Sequence, residues 1–483
     1  MPRVVSRCGL LAMALLSAGM VLAAPPSVPG RYRRVECASR VRFSGTCRGA
    51  GLALLNVRAY PDGAPADTPW DEPNLRRSFG IGLDTHNPPT DDPFNADGNV
   101  HKRPEHEISL HWDGRELANA FSPVAYNDGR WHAMGVNIEY VTAGALVTLT
   151  MDATTIYDRH FLPGARPYTA VWAWGVAAGP GTAEIDLTAL RHGARAPHDR
   201  APERHTIFAG AVLTANHQQE EAVINLPAPG APVRRIMLIL SLQAPPGGID
   251  PWDRAGSIYV WGDDGQRYEI LRFITPFGRP CTWEADVTDY QSLLRASRKM
   301  AVAISTWVKG WKVGVRLDYY WGQPEREAAR VTNLWSGDWE YGNPADPLEA
   351  HFVTRTLHVH KQTTAATLRV VVTGHGMHPN TNNAAEFMPA RRTVIINGKA
   401  FENLLWTTDN YLNPCRPQGG TWKYDRAGWG PGALVRPWNL DLTGLFTPGQ
   451  PVTVQYTPQD YVNENAGKGR ASHIVEVQLI EYR

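Results

Sequence analysis

The chain has 483 residues, with 48 Lys and Arg against 47 Asp and Glu and a formal net charge of +1. That length allows roughly three domains of about 150 residues, and the near-neutral balance excludes a partnership with nucleic acid or an anionic membrane driven by charge alone. A hydrophobic content of 43% excludes a largely disordered chain, and 44 Gly with 38 Pro interrupt it too often for long helices.

In chain order, residues 1–24 come first. Arg3 and Arg7 precede an apolar run from Gly9 to Leu22, and small residues Ala23 and Ala24 follow, the layout of a secretory signal peptide. The run is too short for a membrane span, so an exported, periplasmic or secreted protein without a span is expected. Export permits disulfides among Cys37, Cys47, Cys281 and Cys415, with Cys37–Cys47 the favoured local pair and the other two open.

Short β-branched and aromatic runs separated by turn residues then predict an all-β protein. They are Leu146–Met151, Arg235–Leu242, Ser257–Trp261, Tyr268–Ile274, Ala301–Val308, Val313–Trp321, Leu368–Thr373, Thr393–Ile396, Val452–Tyr456 and His473–Ile480. One short helix is expected over Thr288–Ala296, opened by a Thr cap. Arg191–His205 reads as a linker and Gln323–Ala329 as a weaker break. The expected domains are therefore 35–195, 205–325 and 330–483.

In the first of these, Asp84 ends a strand and is followed by Asn87, Asp92 and Asn95 in a Pro-rich loop. These hard oxygen donors suit Ca²⁺; the simpler reading is that Asp84 and Asn87 cap a turn. The stretch resembles the metal-binding strand and loop of L-type lectins, within the concanavalin-like sandwiches. That resemblance implies a β-sandwich with a carbohydrate- or protein-binding surface, an architecture that laminin-G-like modules share. Gly82 stands where those lectins place a metal-binding acid, which argues against a full two-metal site.

The later segments carry more chemistry. IDPWDRAGSIYV (249–260) presents Trp252, Asp253 and Arg254; TGHGMHPNTNNAAEF (373–387) presents His375 and Glu386; NPCRPQGGTWKYDRAGWGPG (413–432) presents Arg426 and Trp429. Carboxylates, guanidiniums and indole faces together suit a sugar-bearing substrate: acids move protons, Arg stabilises charge, and indoles pack on pyranose rings. Read alone, Asp253 is a loop acid paired with Arg254, and Arg426 ties down its Gly-rich segment.

In order and spacing, WDR with its Tyr-Val strand, RFITP, DVTD-x-x-SLL, STW, AEF and DRAGW-x-PG resemble the peptide-N-glycosidase F family over residues 205–483. The resemblance implies two adjacent eight-stranded antiparallel jelly rolls with the active site in the cleft between them. It also implies hydrolysis, without a required cofactor, of the amide joining asparagine to the innermost N-acetylglucosamine of N-glycoproteins or glycopeptides. By the same resemblance, Asp253 and Glu386 are the catalytic carboxylates. Arg254, Arg426, Trp252, Trp307 and Trp429 line the substrate site, as do Ser305, where the family has a third acid, and His375, where it has a Trp. Ser305 cannot hold charge, so a glycan-binding protein on a degenerate hydrolase cleft is the alternative. A separate reading is metal, copper above all, at the strand pair His358 and His360, whose i, i+2 spacing aligns both imidazoles.

Overall fold

A computed structural model describes residues 4–8, 32–45, 47, 49–56, 59–60, 73–85, 106–166, 170–174, 181–195, 200–324, 326–376, 385–413, 415–463 and 471–483. Its described residues form strands, turns and three short 3₁₀ segments. The chain divides into two compact units, Met1–Arg200 and Ala201–Arg483.

The first unit contains two antiparallel sheets. One places Val4–Cys8, Gly181–His192, Arg34–Gly45, His132–Val141, Gly144–Met151 and Thr154–Pro163 side by side. The other holds Ala170–Trp174, Gly49–Leu55, Phe79–Asp84, Glu107–Trp112 and Arg115–Phe121. The regular alternation of buried and partly exposed residues along Arg34–Gly45 is that of a strand with one face in a core. Phe43, Leu52, Ile81, Val136 and Leu149 from both sheets share that core. Val4–Cys8 lies within the segment read as an export signal.

The second unit contains four four-stranded sheets in two matching pairs. Numbering the eight strands from Glu203 to Trp321 in chain order, one sheet runs 1-8-3-6 and the other 2-7-4-5; the eight from Ala328 to Tyr482 repeat this order. That is jelly-roll topology twice over. Apolar residues of facing sheets fill each roll: Leu238, Leu240, Ile258 and Val302 in the first, Leu368, Val370, Val394 and Val454 in the second. The two rolls are joined along Arg267–Ile274, where Gly432 N donates to Ile274 O, Ile274 N to Ala433 O and Val435 N to Arg272 O.

Three expectations are corrected. Cys37 and Cys47 are not bonded to each other; the disulfide joins Cys281 to Cys415. Cys37 sits early in the strand Arg34–Gly45, and at about 3.3 Å per residue the remaining eight steps carry the chain about 26 Å away. That lies far beyond the Cα separation of about 7 Å that a disulfide tolerates. The expected helix is only a 3₁₀ turn, Thr288–Tyr290, preceded by Val287. Thr288 does not cap it: its hydroxyl bonds Asp286 and accepts from Ile236 N. Finally, nine of the ten strand runs lie within strands, but Ala301–Val308 leaves its strand at Ile304. Thr306 Oγ1 donates to the buried Asp250 instead, turning Ser305–Val308 into a loop.

Candidate active site

Asp253 precedes the strand Ala255–Trp261 in a loop held from below by a residue overlooked in the sequence. Asp250 is fully buried, and its carboxylate accepts from Arg254 Nε at 2.7 Å, Arg254 Nη2 at 3.3 Å, Trp252 N at 2.9 Å and Thr306 Oγ1 at 2.5 Å. Arg254 thus pairs with Asp250, not Asp253. Its guanidinium lies 3.4 Å beneath the centre of the Trp307 ring. One buried acid therefore orders the loop bearing Asp253 and the loop bearing Ser305 and Trp307. Thr275 completes the anchor, accepting from Arg254 N and donating to Trp252 O. Trp252 and Trp307 remain 54% and 64% exposed beside it, and Ser305 is exposed. The sequence signal for Asp250 was its i, i+4 spacing to Arg254.

Glu386 and Arg426 belong to the second jelly roll. Glu386 follows Ala385, whose φ of 74° is left-handed, unusual for a residue with a Cβ. Backbone bonds hold it there: Glu386 N donates to Gly376 O and Ala427 N to Glu386 O. Gly374 must be glycine, because a Cβ would lie 2.2 Å from Ala385 O. Glu386 Oε2 also accepts from Gly376 N at 3.2 Å.

Arg426 brings the two carboxylates together. It is 1% exposed, with Nε 3.2 Å from Glu386 Oε1 and Nη2 3.6 Å from Asp253 Oδ2. Nη1 donates to Thr421 O and Tyr424 O, and Nη2 donates to Thr421 Oγ1. The rings of Phe387 and Trp429 lie over the guanidinium at 5.1 and 4.8 Å. With its donors so committed, the guanidinium both ties down its loop and sets the two acids.

Trp429 is buried with Ile274 and Val435, and its Nε1 donates to Gly374 O at 2.6 Å. His375 stacks on it, ring centres 4.8 Å apart. Burial, then Arg272 and Arg426, depress the His375 pKa to about 3, so the ring is neutral. Arg272 donates to Thr373 Oγ1, leaving that hydroxyl free to donate to His375 Nε2 at 2.9 Å.

The electrostatics single out Asp253. Burial and Glu386 push its pKa up while Arg426 opposes them, and the result is about 7. A carboxyl poised near neutrality can exchange protons in either direction.

Asp84 ends its strand, and its backbone carbonyl accepts from Tyr126 OH; Asn87, Asp92 and Asn95 fall outside the described residues. His358 ends the strand Arg355–His358, and His360 Nδ1 accepts from Gln362 N. Among the described residues no group of three or more His, Cys, Asp or Glu is placed to hold a metal ion.

A family model described as "Peptide-N-glycosidase F, C terminal" matches residues 345–477. The chain is 29% identical over 281 residues to peptide-N(4)-(N-acetyl-β-D-glucosaminyl)asparagine amidase F of Elizabethkingia miricola, covering 54% of this chain and 78% of the relative. Two solved structures are similar at a TM-score of 0.53, each covering 58% of this chain and 96% of its own. They are a peptide-N(4)-(N-acetyl-β-D-glucosaminyl)asparagine amidase, 26% identical, and PNGase F, a glycosylasparaginase from Flavobacterium meningosepticum, 25% identical. Taken with the double jelly roll and the motifs that build the Asp253–Arg426–Glu386 site, these likenesses bear out the resemblance to the peptide-N-glycosidase F family.

Proposed function

We propose that the protein is an exported glycoamidase that hydrolyses the amide between asparagine and the innermost N-acetylglucosamine of N-glycoproteins or glycopeptides. The observation that carries this reading is a carboxyl with a pKa of about 7 facing a buried guanidinium that a second carboxylate shares. Asp253 takes a proton from water as its oxygen attacks the side-chain carbonyl carbon, then returns it to the departing nitrogen. Aspartate and a glycosylamine result, and the step consumes only water. Arg426 keeps Asp253 ionisable and holds Glu386 in an ion pair, and the exposed faces of Trp252 and Trp307 supply a surface for the sugar. The sandwich of the first unit is assigned a glycan- or glycoprotein-binding role on the same reading.

The test is release of glycan from a denatured N-glycoprotein by the wild-type chain, Asp253→Asn and Glu386→Gln. Release by the wild type, lowered about 10³-fold or more in Asp253→Asn, supports the reading; equal activity in that variant refutes it.

One observation favours a second reading. The exposed residue two positions before Trp307 is Ser305, so no carboxylate stands at that position. A glycan-binding protein on this cleft would bind glycopeptide without turnover, and Ser305→Glu would then introduce release.

A further inference from the structure

A second concavity lies in the second jelly roll, outside the Asp253 site. It has a volume of about 420 Å³ and opens where the edge strands Lys399–Leu405 and Trp438–Asp441 of the facing sheets diverge. Trp406, Trp438, Asn403, Asn439, Asp409 and Arg436 are in its wall. Trp406, Trp438 and Asn403 are half-buried. Arg436 Nη1 and Nη2 bond both oxygens of Asp409, at 2.9 and 2.5 Å, so this exposed pair presents a polar edge whose two charges offset each other. Asn439 Oδ1 accepts from Arg369 Nε, which fixes the amide and leaves its NH₂ as donor.

The groove backs onto the site. Thr407 and Arg426 form an antiparallel bridge, with Thr407 N donating to Arg426 O and Arg426 N to Thr407 O. Side chains alternate across such a ladder, so Trp406 and Thr408 leave it on the face opposite Arg426. Two indoles, two amides and an ion pair surround this volume, with the buried guanidinium of Arg392, bonded to Arg391 O and His473, in its wall; aromatic faces beside hydrogen-bonding groups match a pyranose ring, which offers C–H faces and hydroxyls.

We propose that this groove is an accessory subsite for a neutral hexopyranose. The ligand class rests on the glycan reading above: a branched glycan held at its innermost residue extends beyond the Asp253 cleft, and the single Thr407–Arg426 bridge lies between cleft and groove.

The test uses the full chain carrying Asp253→Asn, titrated calorimetrically with mannotriose, so that binding is read independently of turnover. Mannotriose is expected to bind, with affinity reduced at least about tenfold by Trp438→Ala. Thr408→Arg, which fills the groove, is expected to have the same effect, with thermal melting of each variant confirming that it is folded. Absence of mannotriose binding overturns the inference, as does binding that survives Thr408→Arg in a folded protein. If the wild type releases no glycan while groove-dependent binding persists, the glycoamidase reading fails and the subsite stands.

Discussion

Asp253 is held under conflicting demands. Folding buries its carboxyl beside Glu386, which favours the protonated form, whereas attack by water needs the ionised form. Because the folded pKa is about 7 against 3.8 for the free side chain, the folded state binds more protons than the unfolded across that interval. Stability therefore falls as pH rises from about 4 to 7 and stays lower above. Asp253→Asn is expected to be inactive yet more stable than wild type at pH 8, by about 1–3 kcal/mol in urea unfolding. The wild-type rate should fall about tenfold per unit as pH drops below the Asp253 pKa, since the base is then protonated. Arg426→Met removes the charge that opposes burial, so that limb should move to higher pH as the maximal rate drops.

At the level of elements, two devices place the acids. Asp250 ties Arg254, Trp252 and Thr306 together, and Asp250→Asn leaves a buried guanidinium without its charge partner. A loss of about 3–5 kcal/mol in chemical denaturation is expected. Gly374→Ala drives a methyl into Ala385 O and displaces Glu386, so a fall in kcat should accompany its destabilisation. These devices mark what the sequence could and could not disclose. Asp253, Glu386 and Arg426 stand out because their segments carry family motifs. Asp250 matters through four simultaneous hydrogen bonds, and its partner Thr306 comes from a distant loop. The Trp307 loop was misread as strand because its residues have β propensity, and a tertiary bond overrides propensity. Arg254 and Trp429, read as substrate contacts, are buried and bonded to Asp250 and Gly374. A tryptophan in a sequence does not reveal which way its ring faces.

Across the molecule, the all-β class was legible because alternation and turn residues recur along the chain. The disulfide was not, since Cys281 and Cys415 are 134 residues apart and meet only when the two jelly rolls are assembled. Nor was the polar network between the rolls. Arg272 is buried against Glu269, at 2.5 Å, and donates to Ile474 O, while Gln478 bonds Glu476. Burial and Glu269 raise the Glu476 pKa to about 7. Glu476→Gln is therefore expected to unfold at a higher temperature than wild type at pH 8, with the difference vanishing near pH 4, where both states hold the proton.

The proposed activity is decided by which bond breaks. Mass analysis of a denatured N-glycopeptide after incubation with the wild-type chain reads this directly. Cleavage at the amide is expected to leave a peptide free of sugar, with aspartate where the glycosylated asparagine stood, and to vanish with Asp253→Asn. A peptide that keeps its whole glycan, or one that keeps a single N-acetylglucosamine, would contradict the account.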